Sequence, residues 1–313
     1  MIFRYLLLIL GVWSCSTAAI LIKLSTIEPV YLASIRLLLA SLLLLPLHLH
    51  ARKRYPGQAP KLRTVLLPAV FLAMHFVLWI VAARMIPAAN GALIANLVPL
   101  VMPIALWLMV SEKPKSRELF ATVIAMTGVG VMVSYDLFES GSLLEALTEQ
   151  RSYLRGDLLA FSAMCMLTVY LVLAKRNKAV PSIWLYIVPV YAVAGVMCLP
   201  LAVMLHGSPP RLDLEQTGLL LALVILPTVM GHTLLNIAMW WFRGQVVSIF
   251  NLFQFTFTGV MAYLILDGEM PTNALYVAAA TVVTAVVILV WSKKEKTLEP
   301  TDCTKPIMAT QES

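Results

Sequence analysis

Charge is what this 313-residue chain lacks: 12% of its residues are Asp, Glu, Lys or Arg, while 60% are hydrophobic. Soluble domains carry about 25% charged residues, so this chain cannot clothe a water-facing surface of its size. The shortage excludes a soluble enzyme, a disordered scaffold and, despite a pI of 9.3, a nucleic-acid binder. Cysteine is scarce as well. Cys15, Cys165, Cys198 and Cys303 are widely separated, with no Cys-x-x-Cys pair, which argues against a disulfide framework or a zinc site. Neither a metal nor a cofactor is expected. No Gly-x-x-x-x-Gly-Lys loop occurs, so the chain does not hydrolyse ATP itself. Neither His-Glu-x-x-His nor Gly-x-Ser-x-Gly is present, which sets aside an intramembrane protease.

What is present is apolar sequence in long runs. About 20 apolar residues are needed to cross the hydrocarbon core. Such runs fall at 5–24, 29–49, 64–83, 88–111, 118–135, 157–174, 182–205, 217–242, 246–266 and 273–292. Most connections are short; 50–63 is a basic loop and 136–156 a longer acidic connector. Arg4 before an apolar run resembles a signal peptide, but the run continues past Cys15 to Leu24 and Trp13 is bulky where a cleavage site wants a small residue, so it reads as a retained first span. Residues 293–313 are polar and read as a disordered tail.

Orientation follows from Lys and Arg. With the N-terminus inside, the inner set is Arg4, Arg52, Lys53, Arg54, Lys61, Arg63, Lys113, Lys115, Arg117, Lys175, Arg176, Lys178, Arg243, Lys293, Lys294, Lys296 and Lys305, 17 in all. The outer set is Lys23, Arg84, Arg151, Arg155 and Arg211, and Arg36 lies within a span. A bias of 17 to 5 predicts cytoplasmic termini and an even number of spans. The net charge of +7 is then the mark of orientation rather than of an acidic partner.

A shift of 157 residues superposes Glu112-Lys113-Pro114 on Glu269-Met270-Pro271, His75 on His232, Leu78 on Leu235, Ile80 on Ile237 and Thr127 on Thr284. Rare intramembrane histidines and acidic-Pro junctions coincide at one shift. Five spans per half is an odd number, so the halves enter the membrane in opposite senses, and such repeats place a site near the midplane between them. The expected fold is an all-α membrane protein of ten transmembrane helices. Its divisions are a first repeat at 5–135, an extracytoplasmic connector at 136–156, a second repeat at 157–292 and a cytoplasmic tail at 293–313.

Leu10-Gly11-Val12-Trp13-Ser14, Ile22-Lys23, Arg36 and Leu45-Pro46 resemble the opening of an EamA domain of the drug/metabolite transporter superfamily. Pro99 thirteen residues before Glu112, Gly128-Val129-Gly130, Gly231-His232-Thr233 with Asn236 and Ala238, and Asp267-Gly268-Glu269 extend the likeness over about residues 5–292. The resemblance implies an organic-solute permease, often an exporter of amino acids or related metabolites, in a bacterial inner membrane. The chain departs from the pattern at Thr256, where the family often has Pro, and at Phe255, where an acidic residue is common. A kinked, acidic ninth helix is therefore not assumed.

Polar groups at membrane depth need a partner or water, and they supply the candidate site. Ser248, Asn251, Gln254 and Thr258 form one stripe on the ninth run, suited to an aqueous cavity or to hydrogen-bonded packing between helices. Thr228, His232 and Asn236 share a face of the eighth run. His75, with Phe71 and Trp79 a turn to either side, is the repeat mate of His232. The two histidines read as substrate contacts, as proton relays or as neutral core groups bonded to a carbonyl. On the fourth run Asn90, Asn96, Pro99 and Pro103 suggest a bent helix that gates, or one bent only for packing. Arg36 is either an anion contact or a side chain that snorkels outward, the second reading being preferred. Trp13 and Ser14 could wall the substrate site or pack. Glu112, Pro114, Glu269 and Pro271 read as structural turns, with gating as the alternative; Lys23 and Glu28 read as interface anchors.

The leading reading is a secondary permease working by alternating access, driven by the substrate gradient or by a coupled proton, with the lipid bilayer and a small-molecule substrate as its partners, as monomer or homodimer. Other solute classes carried on the same fold, such as drugs or nucleotide sugars, are the alternative. A channel or receptor would want charged pore rings, which are absent. No Asp or Glu lies deep in a run, against a lipophilic-cation pump, and Arg36 is the one deep cation, against a dianionic sugar phosphate.

Overall fold

Hydrocarbon offers no partner to a backbone N–H or C=O, so an apolar run within it must satisfy those groups internally, as a helix. The computed structural model describes residues 2–86, 88–95, 97–139, 143–266 and 273–291, and holds no strand among them. Three long helices open the chain: α1 (Ile2–Leu24), α2 (Pro29–Arg54) and α3 (Leu62–Met85). The fourth run is two helices, α4 (Ala88–Ala95) and α5 (Val98–Val110), followed by α6 (Ser116–Glu139), α7 (Leu143–Arg176) and α8 (Ile183–His206). The eighth run is α9 (Leu214–Leu223), a π-helical segment (Val224–His232) and α10 (Thr233–Trp241). The ninth is α11 (Gly244–Asn251) and α12 (Phe253–Ile265), and α13 (Asn273–Trp291) completes the order. Among the described residues seven helical stretches are long and apolar enough to cross a membrane, with Val98–Val110 and Tyr276–Val290 as shorter apolar helices.

Helix outlasts the apolar sequence around the acidic connector, where α6 runs to Glu139 and α7 starts at Leu143. The larger departures from the sequence reading are breaks. At the first, Leu97 N donates to Ile94 O at 3.1 Å and Leu100 N to Leu97 O at 3.0 Å. These are tight three-residue turns, placed just before Pro99, which has no N–H to give and whose ring crowds the preceding turn. At the second, Leu252 N donates to Ile249 O at 3.2 Å and Phe255 N to Leu252 O at 3.3 Å. The ninth run is thus broken with no proline nearby, in the same bonding pattern as its repeat mate. The tail from 293 and the candidates Asn96, Glu269 and Pro271 lie outside the described residues.

Packing follows the two repeats. α2 packs on α8 and α6 on α13, pairing counterparts, while α1 packs on the π-helical segment and α3 on α7, which are each other's image under exchange of the repeats. Small residues allow the close crossings. A Cβ at Gly195 would lie 3.0 Å from the backbone N of Leu38, and there Ser34 Oγ donates to Gly195 O at 2.8 Å, tying α2 to α8. A Cβ at Gly231 would lie 3.0 Å from the backbone N of Cys15. That contact draws α1 onto the π-helical segment and sets both against the centre of the molecule.

A central cavity between the repeats

The site begins with a missing N–H. In an unbroken α-helix residue 227 would donate to the carbonyl of Leu223, but Pro227 cannot, and the segment from Val224 to His232 widens into a π-helix. The Thr228 hydroxyl takes up the vacated acceptor, donating to Leu223 O at 2.8 Å. Its oxygen in turn accepts from Arg36 Nε, reaching across from α2. The Arg36 guanidinium also lies over the ring of Phe76, 4.5 Å from its centroid, a cation–π contact. Among the described residues the two Nη groups have no hydrogen-bond acceptor.

The snorkelling expected for Arg36 does not occur. The side chain turns inward and is 1% exposed, because Thr228 and Phe76 offer it a hydrogen bond and a π-face that the outer rim does not.

His75 and His232 meet beside it, their ring centroids 5.6 Å apart. His75 Nδ1 donates to Ala163 O of α7 at 2.8 Å, since a carbonyl can only accept, and this fixes the ring with Nε2 left over. His232 Nδ1 is buried without a described partner, and its ring lies 5.1 Å from that of Phe76. Asn251 and Gln254 flank the break at Leu252 and bond to each other, Gln254 Nε2 donating to Asn251 Oδ1. Arg36, both histidines, Trp79, Asn251 and Gln254 line one cavity of about 50 Å³, room for a few water molecules. The rest of its wall is largely apolar: Phe76, Met164, Leu167 and Leu235 among others. Groups from both repeats therefore converge at the broken helices.

Comparison with known proteins decides the family. The EamA-like transporter family matches residues 2–134 and 154–291, one match for each repeat. The chain belongs to this family. A solved structure titled only as the crystal structure of a protein has a TM-score of 0.72 at 15% identity, covering 92% of this chain and 97% of its own; that likeness shows a shared fold. No curated protein matches. The chain is accordingly an integral membrane protein of a family of transporters, and its substrate is a small molecule.

Within this EamA fold the sequence-predicted candidates separate. His75, Trp79, His232, Asn251, Gln254 and Arg36 come together at the cavity. Asn236 is buried away from it, donating to Tyr170 Oη at 2.7 Å and to His232 O at 2.6 Å. Ser248 donates to Gln245 O of its own helix at 2.8 Å and Thr258 to Ser16 O of α1 at 3.1 Å, and neither is among the residues that line the cavity. Trp13 is 39% exposed on the outer face of α1, and Ser14 is buried with its hydroxyl unpartnered among the described residues. Pro99 offers its carbonyl to Gln245 Nε2 at 3.0 Å, and Pro103 sits inside α5. Lys23 Nζ donates to Ile86 O at 2.9 Å, and Glu28 pairs with His206 at 3.6 Å.

Glu112 does more than turn the chain. Its carboxylate meets Lys175 Nζ at 3.1 Å and accepts from Gly244 N at 3.0 Å, joining the repeats near Pro114. Sequence reasoning missed the neighbouring pair of Glu118 and Arg243, and it missed buried Gln245, which also donates to Thr122 Oγ1 at 2.7 Å. The available signal was that these charges flank helix ends at the same end of two repeat-related rods.

Proposed function

We propose that the chain is a secondary permease that exports a small organic metabolite, an amino acid or a related compound, by alternating access across a bacterial inner membrane. Ten spans in two inverted sets of five, with both termini cytoplasmic, are the arrangement that the Lys and Arg bias favours. One observation carries the reading: repeat mates His75 and His232 stand 5.6 Å apart in a cavity that takes side chains from both repeats at two helix breaks. Discontinuous helices around a site at the repeat interface are the arrangement that lets one half rock against the other about bound cargo. A cavity of about 50 Å³ is too small for a whole metabolite, so loading entails movement of its walls. The pairs Glu112–Lys175 and Glu118–Arg243 hold the lysine-rich end closed meanwhile.

Metabolite profiling of cells with and without the protein, followed by counterflow of the leading compound in proteoliposomes, tests this reading. One compound should accumulate outside expressing cells and cross liposomes only when the protein is present; an unchanged profile together with no flux in liposomes would count against a permease. Proton coupling is read from the histidine pair. An imposed pH gradient should accelerate flux in the wild type and have no effect in His75→Ala or His232→Ala, whereas equal wild-type rates with and without the gradient leave facilitated diffusion.

A further inference from the structure

We infer that the cargo carries a carboxylate that docks on Arg36 and brings no ammonium group with it. This rests on the permease reading and narrows it from amino acids to their deaminated relatives, organic acids with an apolar body. A guanidinium stays charged in proteins, and a buried charge calls for a counter-charge. Yet no Asp or Glu is among the described residues that line the cavity, whose other polar groups are two imidazoles, two amides, an indole and the Cys15 thiol. Nε is already committed to Thr228 and Cζ lies over the Phe76 ring, 4.5 Å from its centroid. The open edge is therefore the pair of Nη groups, a fork that matches a carboxylate with two parallel hydrogen bonds. His232 Nδ1, buried and unpartnered, lines the same cavity.

Trp79, Met164, Leu167 and Leu235 offer an apolar wall to the body of such a molecule. An ammonium finds nothing equivalent. Asn251 Oδ1 is already engaged by Gln254, and His75 Nε2 offers one neutral lone pair and no counter-charge. No described Asp or Glu lines the cavity, and the Arg36 charge repels the ammonium. A zwitterion thus loses at its second charge what it gains at its first.

The test uses purified protein and four compounds that share a phenylalkyl body: 3-phenylpropanoate, phenylalanine, 2-phenylethylamine and 3-phenylpropanol. Radiolabelled 3-phenylpropanoate should bind, phenylalanine should compete about tenfold less well, and the amine and alcohol should not compete measurably. Arg36→Gln should weaken binding of the acid by about tenfold or more, and Arg36→Lys by less. The assignment is overturned if the acid does not bind, if phenylalanine or the amine competes equally well, or if Arg36→Gln leaves affinity intact. Should Arg36→Gln fail to fold, the ranking of the four compounds on the wild type decides alone. Cell profiling separates the two readings: an exported amine or zwitterion overturns the carboxylate and keeps the permease, while no exported compound counts against the permease itself.

Discussion

At the scale of single residues, four polar side chains on one helical stripe have divided into two kinds of work. Ser248 and Thr258 spend their hydroxyls on carbonyls, one within its own helix and one on α1, whereas Asn251 and Gln254 stand at the cavity wall. Intramembrane hydrogen bonds of the first kind contribute only about 0.6 kcal/mol on average. Ser248→Ala and Thr258→Ala should accordingly leave flux within about twofold of wild type, while Asn251→Ala and His232→Ala should lower it about tenfold with expression and melting unchanged. Proteoliposome flux beside thermal melting reads both quantities, and normal flux in Asn251→Ala and His232→Ala together would remove them from the site. The stripe was legible in the sequence as a spacing; its division was not, because spacing fixes a face and says nothing of the helix opposite. Arg36 makes the same point more sharply. Its depth of seven residues from Pro29 suited either snorkelling or a buried role, and the contact that decides between them, Thr228, is 192 residues away in the chain.

Among elements, the interrupted helices matter most, and they were unequally readable. The apolar runs foretold where helix would lie, since hydrocarbon enforces it, and Pro99 announced the first break. The break at Leu252 has no Pro or Gly to announce it and was not expected from the sequence; the backbone bonds of the structure show it. The π-helical segment had its signal in Pro227, but the consequence lies in a neighbour: Thr228 fills the orphaned carbonyl and so comes to hold Arg36. Pro227→Ala tests that chain of cause. The new N–H can donate to Leu223 O, relieving a penalty of about 3 kcal/mol for Pro inside a helix, and the Thr228 hydroxyl is released from its post. Melting temperature should hold or rise while flux falls several-fold, a gain in stability against function measured in one preparation. Unchanged flux in a Pro227→Ala protein whose helix has regularised would show that the widened turn does not position the site.

For the whole molecule the question is what holds the two repeats together where Glu112 and Glu118 meet Lys175 and Arg243. Glu112 and Glu118 follow the fourth run of the first repeat; Lys175 and Arg243 end helices of the second. Their pairs therefore span the repeat boundary. The Glu112 and Lys175 side chains are 14% and 7% exposed, and Lys175 Nζ also donates to Phe242 O at 2.7 Å. Reversing one partner of so secluded a pair leaves two like charges facing each other. Even about 1.4 kcal/mol of that cost would shift the balance between closed and open forms tenfold. Spin labels at Lys113 and Arg176, placed in a background without the four native cysteines, would report the separation across this end. Glu112→Lys should move the distance distribution toward longer values. Adding Lys175→Glu should bring it most of the way back, though not wholly, because a lysine at 112 cannot accept from Gly244 N as the carboxylate does. Glu112→Gln, which keeps that acceptor and loses the charge, should fall between the two. One unshifted distribution across all three variants would mean that apolar packing alone closes this end, and that the charges only trim it.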